Sequence, residues 1–338
     1  MSDMMTRFLR FLFLAALILF STSFLKGEDS IYFDIRGFVS AGGGYDSHIP
    51  TMGRDSSDRK GSGEILTDAG INFDINDFSI GTAVFVNALN TDNWRYSLLN
   101  TEINLGWITS TGDFDWSIFS VGSFSFYDFS GLSTHYAQGD LYLEMFYNHH
   151  ENMSFFFTLT SSYIHGLKEE LSFLRGPQIG FETGEYFYFN FRSYLRLQYQ
   201  LNFMFYGDHT TENVPTVVSD GITELTGKNK GISQFLSLRT RLDFDRFYIF
   251  LGAGWRNMTM FHRDNWETME KIVKKRRVNN SIVLDVEPGF IPFKKSFDQL
   301  SIYAHYIFEK NFSTLGREDY VDENYIRHNI RVMLSYYF

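Results

Sequence analysis

Cysteine is absent from the 338 residues, and proline occurs only 5 times. The first absence excludes a disulfide framework, a thiolate metal site, a cysteine nucleophile and a lipid-modified cysteine together. Basic residues are also scarce. Against 40 Asp and Glu stand 30 Lys and Arg, for a net charge of −10, so the cationic excess that nucleic-acid binding needs is missing. No apolar run approaches the ~20 residues of a helical membrane span. With a mean hydropathy of −0.19, that excludes a polytopic helical membrane protein. Aromatics, by contrast, are abundant. With 37 Phe, 20 Tyr and 18% ring side chains in all, the chain is far too aromatic to be disordered.

The N-terminus carries the parts of a secretory signal peptide. Arg7 and Arg10 precede an apolar run from Phe11 to Phe20, and the small residues Ser21, Thr22 and Ser23 follow it. The expected organisation is a signal peptide over residues 1–27, cleaved between positions 23 and 29, and a single domain over 28–338.

Alternation dominates the rest. Ile326, His328, Ile330, Val332, Leu334, Tyr336 and Phe338 share one face of the last segment, with Arg327, Asn329, Arg331, Ser335 and Tyr337 on the other. A period of two is the signature of an extended strand, apolar on one side and polar on the other. The same pattern places Ile65, Thr67, Ala69, Ile71 and Phe73 opposite Asp68, Asn72 and Asp74, and Leu195, Leu197, Tyr199, Leu201 and Phe203 opposite Arg196, Gln198, Gln200 and Asn202. Strands are expected near 31–45, 64–75, 78–89, 98–109, 114–126, 138–147, 153–164, 175–189, 193–206, 232–243, 246–260, 278–287, 299–308 and 325–338. That is about fourteen, within a range of 12–16, each of about the ten residues a tilted membrane-spanning strand needs.

Connector lengths sharpen the fold class. Links near Asn76-Asp77, 111–113, 148–152 and 243–246 are short, whereas those near 46–63, 128–137, 207–231, 261–277 and 309–324 are long and polar. Short turns at one end and long loops at the other describe an all-β, transmembrane up-and-down antiparallel barrel. A soluble sandwich also alternates, but it has no use for apolar faces this long on so many strands. Two places resist assignment: 184–193, where Gly184-Glu185 and Asn190 to Arg192 compete as the turn, and 289–298, a link longer than the scheme prefers. Tyr45, Trp94, Tyr96, Trp107, Trp116, Tyr147, Trp255, Tyr306 and Tyr336 fall near strand ends, where interfacial girdles form.

A terminal Phe338 preceded by Tyr336, Leu334 and Val332 at alternate positions resembles the assembly signal of Gram-negative outer-membrane β-barrel proteins. The resemblance implies insertion by the barrel-assembly machinery, contact with outer-membrane lipids and a location in the cell outer membrane after secretion. Gly44-Tyr45-Asp46-Ser47 is similar to a step that opens several large porin-like and exporter barrels, although His48 stands where Asn is usual.

Strand phase assigns the inward faces. Arg192, Arg196, Arg239, Arg241, Arg256, Arg327 and Arg331 are expected to line the interior on later strands. Asp34, Asp68, Asp74, Glu102, Asp140 and Glu144 are expected on earlier ones, with Asp285 and Glu287 as a late acidic pair. Charged walls set pore selectivity, so the expected function is passive diffusion of small hydrophilic solutes, anions among them. A closed interior of Arg-carboxylate ladders is the competing arrangement. An adhesin or ligand-binding barrel is the alternative function, and an export-linked barrel the third. No cofactor, metal, enzymatic activity or nucleic-acid partner is expected. Ser133, His135 and Asp140 match no catalytic spacing, and His149 and His150, adjacent on a strand, point to opposite faces. The loop 207–231 is a candidate plug, and Lys271, Lys274, Lys275, Arg276 and Arg277 form a basic run that could meet lipid phosphates.

Overall fold

The computed structural model describes residues 32–47, 62–90, 96–129, 132–167, 175–190, 192–210, 223–267, 272–295, 298–313 and 325–338. The expected signal peptide, Trp94, and most of the 46–63 and 309–324 connectors lie outside them. The described residues form fourteen strands and no helix: β1 (Phe33–Asp46), β2 (Ser62–Ile75), β3 (Phe78–Asn90), β4 (Tyr96–Thr111), β5 (Phe114–Phe129), β6 (Leu132–His150), β7 (Met153–Gly166), β8 (Gly176–Tyr188), β9 (Tyr194–Thr210), β10 (Thr223–Phe244), β11 (Phe247–Glu267), β12 (Ile272–Lys295), β13 (Asp298–Ser313) and β14 (Tyr325–Tyr337). Each pairs antiparallel with its sequence neighbours, and β1 pairs with β14 to close the barrel.

Short turns gather at one end. Ile75 pairs with Phe78, Thr111 with Phe114 and Phe244 with Phe247, leaving two-residue loops. The first loop residue of each, Asn76, Gly112 and Asp245, takes the left-handed backbone that tight hairpins require and these residue types tolerate. The ambiguous stretch resolves in favour of Asn190. Its side-chain oxygen accepts from the backbone N–H of Arg192 and Ser193, both at 2.9 Å, an Asx turn that ends the pairing. Gly184 and Glu185 lie within β8 instead.

At the other end the strands run further than alternation suggests. The expected 128–137 loop is largely strand, since Phe129 pairs with Leu132. β11 and β12 reach Glu267 and Ile272, taking in most of the expected 261–277 loop, while β9 and β10 absorb both ends of the 207–231 segment. Polar residues at these tips hide the alternation that apolar side chains reveal nearer the middle. β12 also continues through Pro288 and Pro292 to Lys295. A register shift between Phe290 and Phe293 takes up the second proline, which has no N–H to give to the ladder, and buries Ile291.

Register divides the side chains cleanly. Ile35, Val39, Leu197, Leu238, Leu284, Ile302, Ile330 and Leu334 lie on the outer face and are exposed. Leu66, Asn329 and Ser335, of opposite parity, point inward and are 2%, 1% and 1% exposed. Such an exterior is stable only in hydrocarbon, and only a closed sheet satisfies every backbone group there. Aromatic pairs mark the short-turn rim: Phe114 on Tyr147 at 4.6 Å, Phe247 on Phe290 at 4.8 Å and Tyr336 on Phe338 at 6.0 Å.

The division of faces predicts an asymmetric response to charge. Leu238→Arg, on the outer face, should destabilise the barrel in lipid vesicles by about 2–4 kcal/mol, although Arg239 beside it is native on the inner face. Urea titration of the vesicle-folded protein measures this. An unchanged midpoint would mean that hydrocarbon does not cover that face.

Candidate functional site

The inner wall is the only surface where the charged residues converge among the described residues, and it is densest at the β1–β14 seam. Gly44 pairs with Arg331 on one side and with Glu64 on the other. Having no side chain, it leaves a trough through which Arg331 on β14 reaches β2, its Nε donating to Glu64 Oε1 at 2.6 Å. A Cβ at Gly44 would sit 3.0 Å from the Arg331 side chain and press closer still on the Ile330 carbonyl. Arg327 donates to both oxygens of Asp46, at 3.0 and 3.1 Å from Nε. Asn329 Nδ2 bridges the two carboxylates, at 3.0 Å to Asp46 and 3.1 Å to Glu64. Asp46 and Glu64 are both 4% exposed, so either carboxylate would be costly to bury without these donors.

The other arginines are met in the same way. Arg36 binds Asp74, and Arg196 binds Glu182. Arg241 Nε donates to Asp243 at 2.7 Å, and Arg239 and His305 approach Asp285 at 3.8 and 2.7 Å. Arg256 and Arg327 each stand 3.9 Å from Glu309. Asp68 on β2, Glu102 on β4 and Asp140 and Glu144 on β6 are different. Among the described residues no cation lies within ion-pair distance of Asp68, Glu102, Asp140 or Glu144. Their partners are neutral: Asn100 donates to Glu102 at 2.8 Å, Gln138 to Asp140 at 2.9 Å and Ser117 to Glu144 at 3.0 Å. The interior thus mixes compensated pairs with carboxylates that, among the described residues, lack a cation: Asp68, Glu102, Asp140 and Glu144, and Glu287 on β12 as well.

Below these charges, toward the short turns, the inner wall turns aromatic. Arg196 lies 4.5 Å over the Phe156 ring and 5.2 Å over Tyr186, and Arg241 lies 5.0 Å over both Tyr248 and Phe250. Tyr186, Tyr188 and Tyr194 pack against one another beside them.

Register therefore puts Arg196, Arg239, Arg241, Arg256, Arg327, Arg331, Asp68, Asp74, Glu102, Glu144, Asp285 and Glu287 on the inner face. Arg192 is the exception: it falls in the turn between β8 and β9, not on a strand wall, because Asn190 starts the turn before it. Alternation missed Asp46, Glu64, Glu182 and Glu309, the anchors of the pairs. Glu182 and Glu309 share the parity of arginines on the next strand, whereas the partners of Asp46 and Glu64 come from the far end of the chain. Val332, Leu334 and Tyr336 face outward on β14, and Phe338 exchanges backbone bonds with Gly37 at 2.8 and 3.0 Å.

The remaining candidates disperse. His135 and Asp140 sit on opposite faces of β6, and the Ser133 side chain lies outside the description. His149 faces outward, with its Nε2 3.1 Å from Glu185, and among the described residues no His, Asp or Glu cluster could hold a metal. Of the basic run, Arg276 is described and exposed, while Lys271 and the side chains of Lys274, Lys275 and Arg277 lie outside the description.

No family model and no curated protein matches this chain. Solved structures do. The CymD monoaromatic hydrocarbon channel is similar over 92% of this chain and 89% of its own, at 7% identity and a TM-score of 0.47. The outer membrane channel DcaP of Acinetobacter baumannii is similar over 92% and 99%, at 10% identity and a TM-score of 0.47. An anion-selective porin from Comamonas acidovorans is similar over 91% and 100%, at 9% identity and a TM-score of 0.42.

If the seam network holds the barrel shut, removing one member should expose its partner's burial cost. Arg331→Ala leaves Glu64 with amide donors alone and should lower stability by about 3 kcal/mol. Adding Glu64→Gln should restore part of that loss in a double-mutant cycle. Independent, additive effects would show that the two side chains do not interact.

Proposed function

We propose that this chain is an outer-membrane pore through which small hydrophilic solutes diffuse passively. The observation that carries the reading is the opposition of the two faces in one closed fourteen-strand sheet, with apolar side chains outside and ionised and amide side chains inside. Eight strands leave room only for packed side chains and sixteen leave a channel, so fourteen stands toward the channel end. A polar wall has no stabilising role in a dry interior, where each unpaired carboxylate costs several kcal/mol. Asp68, Glu102, Asp140 and Glu144, lacking cations, therefore call for water beside them.

Electrostatics refine the expected selectivity. Arg36, Arg196, Arg239, Arg241, Arg256, Arg327 and Arg331 each have a carboxylate within 4 Å, so these arginines present no surplus to an anion. The bare acids on β2, β4 and β6 do present a surplus to a cation, and the pore should favour cations over the anions that strand phase alone suggested. The outer-membrane setting, with the short turns at the periplasm, follows from the lipid-compatible exterior and the candidate export signal. Delivery by the barrel-assembly machinery follows from the Val332, Leu334, Tyr336 and Phe338 pattern at the closing strand.

Planar-bilayer recording of the refolded, correctly sized barrel tests this. Stepwise conductance is expected, with a reversal potential of cation-selective sign across a KCl gradient. The pair Glu102→Gln and Asp140→Asn should reduce the cation-to-anion permeability ratio two- to fivefold, about 0.5–1 kcal/mol for charges acting through water. A silent barrel removes the pore reading, and an anion-selective one removes the charge argument.

A further inference from the structure

The short-turn end of the interior holds a cleft of about 480 Å³ whose lining is unlike the rest of the wall. Phe146 from β6, Tyr186 and Tyr188 from β8 and Tyr194 from β9 supply one side, and Ile291 and Gln299 come from β12 and β13. Since β6 and β13 stand half a circuit apart in strand order, the cleft spans the bore rather than denting one wall. The β12 register shift at Phe290/Phe293 is what carries Ile291 into it.

Its chemistry is specific. Tyr186 and Tyr188 lie nearly parallel, with centroids 5.8 Å apart and 6° between planes, and Tyr194 stands edge-on to both at 68°. Arg196 already lies 5.2 Å over the Tyr186 ring, so the aromatic surface offered to the cleft is that of Tyr188 and Tyr194. Around it are donors and acceptors together: the phenol hydroxyls, the Gln299 amide, the Arg192 and Arg241 guanidinium groups and the Asp243 carboxylate. Asp243 answers the charge of Arg241 at 2.7 Å, so the pair offers a hydrogen-bonding surface more than a net charge. An apolar ring face next to planar groups that both donate and accept is complementary to a pyranose, whose C–H face is apolar and whose rim is hydroxylated. The volume also falls in the ~300–1,000 Å³ range of small-molecule sites.

We propose that this cleft is a saccharide subsite, a stacking station that a neutral mono- or oligosaccharide occupies as it leaves the bore. The proposal rests on the pore reading for its transport role, but binding itself can be measured without conduction.

The test uses maltotriose with the full barrel in two formats. In planar bilayers, maltotriose should reversibly interrupt the ionic current. In detergent, isothermal titration should give saturable heat. Tyr188→Ala and Tyr194→Ala should each weaken binding roughly tenfold, whereas Tyr188→Phe, which keeps the ring, should stay within about threefold of the parent. Heat-modifiable migration on gels confirms that each variant is a folded barrel, and its own sugar-free current is its reference. Conduction with neither interruption nor heat overturns the subsite and leaves the pore. Heat without conduction overturns the pore and leaves the subsite. Binding of gluconate or benzoate but not maltotriose makes the cleft an anion site and overturns the proposal, as does equal affinity in parent and alanine variants.

Discussion

Everything in this fold depends on the meeting of its first and last strands. In hydrocarbon an unpaired backbone amide has no solvent to turn to, so a sheet that fails to close has two unsatisfied edges. The chain meets that demand twice over. Backbone pairing from Phe38–Tyr337 to Asp46–Asn329 seals the edges, and Arg327, Asn329 and Arg331 tie β14 to carboxylates on β1 and β2. A glycine in the intervening strand is what allows a side chain from one neighbour to reach the other.

The same constraint shapes the chemistry of the interior. Arginines are matched with carboxylates where wall packs closely, because a buried ion needs both a counter-charge and hydrogen bonds. Where the wall meets open space the acids are solvated by amides and hydroxyls instead. The result is a bore with a compensated seam, acids without cations beyond it and an aromatic base. In the proposed pore, selectivity is then a matter of which carboxylates a solute passes and what it can stack upon at the end.

The strand count and the two faces were legible in the sequence because each strand alternates by itself, as in 195–203 or 326–338. Tight turns were legible where Asn76, Gly112 and Asp245 supply the left-handed backbone. Strand ends were not, since polar tips such as Thr223 and Arg276 carry no apolar rhythm, and Pro288 and Pro292 disguised a strand as a link. Phase found the inward arginines except Arg192, which lies in a turn, and two of their partners, Asp74 and Asp285, but not Asp46, Glu64, Glu182, Asp243 or Glu309. Glu64 and Arg331 are far apart in the chain and meet only through closure, a relation that one strand's periodicity cannot contain. Gly44 is similar: locally it looks like a loop entry, and its role appears only when a neighbour's side chain lies over it.

The location of the seam charges also constrains the order of assembly. Arg327 and Arg331 belong to the final strand, whereas Asp46 and Glu64 belong to the first two, so these acids stay without their cations until the last stretch of polypeptide is in place. A nascent sheet lacking β14 would hold two carboxylates on its open margin, well hydrated and reluctant to enter lipid. The chain thereby carries a deterrent against premature burial that only its own C-terminus lifts.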